Sequence, residues 1–184
     1  MSWQLSATEA ACYAGPVVRG SPNPRHWGLA RRLKSARRLS KLTRMALAER
    51  GCVSEATVLY VETDQRIPTV ETIARLASAL SLSAAWLAFG LGEQDNAEAP
   101  ASCDGMADRL RTARADRNQT RIELARSAEL NPGTIAKIEE GGQTGVDTLE
   151  KLAKALRVSP AWLAFGVGPR ELPPRRRAAR VARA

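Results

Sequence analysis

The chain has 184 residues, 44% of them hydrophobic and 4% aromatic, with a formal charge of +9. That length holds one medium domain or two small ones with packed cores, and the scarcity of aromatics points to helices rather than a β-sandwich. The basic balance favours a polyanionic partner, nucleic acid first and a membrane surface second.

Residues 1–27 contain Gly15, Pro16, Gly20, Pro22 and Pro24 and show no clear period, so an irregular, flexible N-terminal segment is expected. From Gly28 to Gly92 the chain then carries a pattern that returns from Gly105 to Gly168. The two stretches align at an offset of 77 up to Asp64 and of 76 from Thr69, with 26 identities among 64 positions. Six consecutive identities, AWLAFG, stand at 85–90 and 161–166. A duplicated supersecondary unit explains this, and two copies of such length imply two domains, each with its own small core, rather than a solenoid. Residues 93–104, with four acids, no base and Pro100, read as an acidic linker. Residues 169–184 form a tail with six arginines against one glutamate.

The second copy shows its helices most clearly. Met106, Leu110 and Ala113 make the apolar stripe of a first helix. Thr120 and Glu123 have the spacing of a capping box, so a second helix begins at Arg121 with Leu124 and Ala125 inward. Asn131 caps a third helix with Pro132 at its first position, Ile135 and Ile138 inside, and Gly141-Gly142 at its end. Asp147 and Glu150 form a second capping box for a fourth helix carrying Leu149, Leu152 and Leu156. Ser159-Pro160 opens a fifth with Trp162, Leu163 and Phe165, which stops at Gly166. About three residues separate the second helix from the third, the spacing of a helix-turn-helix.

Three segments of the second copy resemble the Cro/lambda-repressor (XRE) helix-turn-helix family. They are Thr120-x-x-Glu123-Leu124-Ala125, Asn131-x-x-Thr134-Ile135-x-x-Ile138-Glu139-x-Gly141, and Leu149-x-x-Leu152-Ala153-x-Ala155-Leu156 followed by Ser159-x-x-Trp162-Leu163. The resemblance covers both copies, about 128 of the 184 residues. It implies an all-α chain of two tandem five-helix domains, at 28–92 and 105–168, that binds a double-stranded DNA operator and regulates transcription. It also suggests use as a dimer on paired half-sites, either between two chains or between the two copies of one.

Carried over position by position, the resemblance assigns DNA contact to Thr120 and Arg121 at the start of the second helix. On the recognition helix it assigns Asn131, Gly133, Thr134 and Lys137. Lys137 suits guanine O6 or N7, and Asn131 suits adenine unless it is used up as a cap. Gln143 and Thr144 in the following loop are expected on the DNA backbone. The matching positions of the first copy are Thr43, Arg44, Ser54, Ala56, Thr57 and Tyr60. There Ala46 replaces the capping glutamate, Asp64 stands in place of a helix-ending glycine, and Glu55 takes a groove-facing site. The first copy has ten basic residues against five acidic, the second ten against eight. The first therefore looks suited to gripping backbone through Arg31, Arg32, Lys34, Arg37, Arg38, Lys41 and Arg44, and the second to reading bases. Arg175, Arg176 and Arg177 in the tail read as an arm for phosphates or a narrow minor groove. Both copies lack a glycine in the inter-helix turn, where Cys52 and Glu129 stand. Either the turn is reshaped, or Gly51 takes the strain in the first copy.

Trp86, Trp162, Phe89 and Phe165 are expected in the core, and Glu62 and Glu139 paired with a nearby arginine. Cys12, Cys52, Cys103 and the single His26 make no ligand cluster, which argues against a metal site and for reduced thiols in a cytoplasm. No cofactor is expected. No apolar run spans a membrane, and the N-terminus has no signal-peptide pattern. With no phosphate-cradling glycine loop, metal set or histidine-served nucleophile, an enzyme is not expected. The residues after Gly168 are too few for the self-cleaving protease domain that some relatives carry. The competing reading is a protein-binding module, an antitoxin or antagonist that holds a partner through the first copy's Glu55 and Tyr60.

Overall fold

A computed structural model of the protein describes residues 27–94 and 103–171. Cys12, His26, most of the expected linker and Arg175, Arg176 and Arg177 lie outside these residues. The described residues fold into ten helices. The first copy supplies α1 (Trp27–Leu39), α2 (Arg44–Arg50), α3 (Glu55–Glu62), α4 (Val70–Ala79) and α5 (Ala84–Phe89). The second supplies α6 (Met106–Ala115), α7 (Arg121–Ala128), α8 (Pro132–Glu139), α9 (Val146–Ala155) and α10 (Pro160–Phe165). The all-α reading and its two sets of five helices hold.

Local chemistry fixes most helix starts. The Thr120 hydroxyl accepts from the Glu123 amide at 3.2 Å, and Glu123 accepts from the Thr120 amide at 2.7 Å, so the capping box is complete. Thr43 caps α2 through the Ala46 amide at 3.1 Å, without a reciprocal carboxylate. Ser54, Thr69, Ser83 and Ser159 each accept from the amide three residues on. The expected box at Asp147 and Glu150 does not form. Helix α9 starts at Val146, is capped by Gly145 without a side-chain bond, and buries Glu150 within it. The helix begins one residue before the box requires, so Asp147 lies inside its first turn and the cap position falls to Gly145, which has no side chain to offer. The Val146 amide donates to Pro68 O in the other copy at 3.2 Å.

The periodic apolar positions face inward as expected. Leu33, Leu47, Ile73, Leu76 and Leu87 in one copy, and Leu110, Leu124, Ile135, Leu149 and Leu152 in the other, are completely buried. Each such side chain contributes about 2 kcal/mol by leaving water. Two separate cores do not result, because the buried side chains of both copies form one continuous cluster. Trp86 and Trp162 are half-buried against it, while Phe89 and Phe165 are buried within it.

The backbone and ring contacts between the copies either join a residue to its own repeat or come as repeat-related pairs. Thr69 and Gly145, 76 apart, form an antiparallel bridge. Val70 N–H donates to Thr144 O at 3.0 Å, and Val146 N–H returns the bond to Pro68 O. Phe89 and Phe165, again 76 apart, meet with ring centroids 6.3 Å apart and planes tilted by 49°. Surfaces that pair with their own equivalents are the mark of a two-fold contact. One chain therefore contains a pseudo-dimer, joined through α5, α10 and the segments leading into α4 and α9.

Candidate nucleic-acid interface

In each copy the second and third helices are held by a buried Arg–Glu–Arg cluster. Glu62, on the last turn of α3, accepts from Arg37 Nε at 2.6 Å and Arg44 Nε at 2.8 Å. Glu139, on the last turn of α8, accepts from Arg114 Nε at 2.7 Å and Arg121 Nε at 2.6 Å. The first arginine of each cluster also donates from Nη1 to a backbone carbonyl, Leu42 O at 2.8 Å or Gln119 O at 2.9 Å. These bonds tie the end of the first helix, the start of the second and the end of the third. Both glutamate side chains are almost wholly buried, 1% and 0% exposed. Burial alone would raise their carboxyl pKa values, but the hydrogen bonds and charges of the two arginines outweigh it and hold both below the ordinary range.

The turn between the helices is strained where glycine is absent. Cys52 has φ 49° and Glu129 has φ 55°, both left-handed. Gly51 has φ −86°, so it does not take the strain. Asp64 at φ 58° after α3 matches Gly141 at φ 90° after α8.

The sequence-predicted residues then sort by what they touch. Thr120, Arg121 and Gly133 line one shallow depression, together with Arg114, Ile122, Pro132 and Ala136. Arg121 is exposed despite its bond to Glu139, and Arg44 is half-buried in the matching place. Lys137 is exposed, and Thr134 is half-buried. Asn131 is committed as a cap, its Oδ1 accepting from the Gly133 amide at 2.8 Å, which opposes a bidentate reading of adenine. The Gln143 side chain hydrogen-bonds Glu71 of the other copy, and Thr144 is buried with its carbonyl on Val70, so this loop faces the pseudo-dimer contact. In the first copy Thr43 and Ser54 are exposed caps, Ala56 is exposed, and the Thr57 hydroxyl bonds the Ser54 hydroxyl at 2.8 Å. Tyr60 is half-buried beneath the Arg66 guanidinium, 5.3 Å from its ring centre.

Three basic residues of the expected backbone grip make structural bonds. Arg37 and Arg44 belong to the cluster on Glu62, and Arg32 donates to Leu87 O at 3.0 Å and Ala88 O at 2.9 Å at the end of α5. Arg109 does the same at Leu163 O and Ala164 O. A cation at a helix C-terminus satisfies orphan carbonyls and complements the helix dipole. The inward glutamates were legible as arginine partners, but these clamps were not. Sequence reasoning also missed three large apolar side chains beside the recognition helices: Met45 and Ile122, 59% and 60% exposed at equivalent positions of α2 and α7, and Leu59, 37% exposed on α3. The signal for Met45 and Ile122 was an apolar residue at the second position of a capped helix in both copies.

A family model described as helix-turn-helix matches residues 33–87 and 110–163, more than half of the chain. The chain belongs to the helix-turn-helix family. Both matches run from the first helix of a copy into its fifth, so each helix-turn-helix unit falls within its own repeat. One relative is the HTH-type transcriptional regulator PrtR of Pseudomonas aeruginosa, 40% identical over 65 residues, which is 35% of this chain and 25% of that protein. The chain thus spans about a quarter of the length of the curated relative it matches. No solved structure matches this helix-turn-helix protein. Among the described residues no helix is long and apolar enough to cross a membrane.

Proposed function

We propose that the protein regulates transcription by binding double-stranded DNA sequence-specifically, with α3 and α8 presented to the major groove of one operator. The observation that carries this reading is the pseudo-two-fold pairing of two helix-turn-helix units within one chain. A duplex operator has a two-fold axis of its own, and a dimer of such units meets two half-sites about one helical turn apart. Here the pairing is internal, so one chain supplies both recognition helices. Exposed Lys137 on α8 reads base edges, while Thr120 and Arg121 at the start of α7 meet phosphate. Thr43, Arg44, Ser54 and Ala56 take the same places in the first copy. Arg175, Arg176 and Arg177 supply an arm for the flanking backbone.

The test is selection of bound duplexes from a random pool, followed by titration at fixed salt. Binding at least a thousandfold tighter than to random DNA is expected, at one chain per operator. Lys137→Ala should relax the preference at one position and weaken binding by about tenfold or more. A specific-to-random ratio near one would overturn the reading.

A further inference from the structure

The two outward faces occupy the same positions of the repeat and carry different chemistry. On α3 the exposed residues are Glu55, Ala56 and Leu59; Met45 beside them on α2 is matched by Ile122 on α7, so the difference lies on the third helices themselves. That helix, EATVLYVE, contains no base. On α8 the matching residues are Pro132, Gly133 and Ala136, followed by exposed Lys137 where α3 has Tyr60. Where α8 leaves a depression beside Ala136, α3 places the larger Leu59. The first copy nonetheless carries ten basic residues against five acidic, so its surroundings favour a polyanion.

An apolar face in a cationic frame fits a particular part of a duplex. In the major groove the apolar group is the thymine C5 methyl. A carboxylate there can only accept, and cytosine N4 is the amine it suits. We infer that the operator is not palindromic: the half facing α3 is read through thymine methyls by Leu59 and Ala56, with Glu55 accepting from cytosine N4. The half facing α8 is read by Lys137 through guanine. This rests on the DNA-binding reading above and deepens it.

The experiment replaces thymine by deoxyuridine, which removes only the methyl, in one half of a selected operator at a time. The half whose preference changes with Lys137→Ala is the one facing α8. Deoxyuridine in the other half should weaken binding about fourfold per contacted methyl, and in the α8 half less than twofold. Leu59→Ala should bind the unmodified operator more weakly and lose that sensitivity. Leu59 is partly exposed, and a thermal melt confirms that the variant is folded. Specific binding with no deoxyuridine effect, or an equal effect in both halves, overturns this inference while the proposed function stands. So does unchanged binding by Leu59→Ala, which would assign the α3 face to a protein partner. Binding without sequence preference overturns both.

Discussion

Cys52 and Glu129 show how a single backbone angle shapes the recognition turn. Each sits in the left-handed region without being glycine, at a cost of about 1 kcal/mol from the clash of Cβ with the following carbonyl. Cys52→Gly or Glu129→Gly should therefore stabilise the protein by about 0.5 kcal/mol, the gain being reduced because glycine has more freedom in the unfolded chain. Urea titration of each variant measures this, and a loss of stability at both sites would contradict the strain argument. The absence of glycine was legible in the sequence. Which residue carries the angle was not, since it depends on where α2 and α7 stop. The reading of Asn131 depended on the same kind of detail: residue type allowed either a cap or a base contact, and the bond to the Gly133 amide decides for the cap.

Between helices, the Arg–Glu–Arg clusters fix the angle at which α3 and α8 stand. Removing one member leaves charge uncompensated in a buried place, which costs about 3 kcal/mol or more. Glu139→Ala should lose about that much in denaturant unfolding and weaken operator binding in proportion to the misplacement of α8. Arg121→Ala should cost less stability, because Arg121 is the more exposed partner. The lowered glutamate pKa values also set a pH window. A carboxyl held lower in the folded state than its unfolded value of about 4.3 stabilises fully above that value and loses its contribution as pH falls through the folded one. Stability should thus hold from neutrality to about pH 5 and fall below about pH 4. The variants Glu62→Gln and Glu139→Gln should start lower at pH 7 and show a flatter acid limb in urea midpoints. Equal acid slopes would contradict a role for the clusters. The sequence announced that these glutamates needed arginine, because an ionised group at an inward helical position must be paired. It did not announce which, because Arg37 and Arg114 reach them across the fold, 25 residues away.

At the scale of the whole molecule, the duplication was plain in the sequence, but its consequence was not. Identical AWLAFG segments read equally well as the last helix of two separate cores. The structure instead sets Phe89 against Phe165 and merges the copies into one buried cluster. Asp147 and Glu150 form no capping box because α9 starts one residue earlier, with Gly145 at the cap position, and its first amide bonds Pro68 across the pseudo-two-fold. A shared core couples the copies in unfolding. Trp86 reports on one and Trp162 on the other, each half-buried at the equivalent position. With Trp3 and Trp27 replaced by Phe throughout, fluorescence melts of the Trp86→Phe and Trp162→Phe variants should superpose after correction for the small change in midpoint, since one core melts in one transition. Phe165→Ala should cost about 3 kcal/mol. Phe89→Ala added to it should cost less than it does alone, by about 0.5–1.5 kcal/mol, because the ring pair is already broken. In that double variant the two tryptophans should part, with the copies melting at different temperatures. Separate transitions in the unaltered chain would instead show two independent domains, and the proposal that α3 and α8 meet one duplex would lose its support.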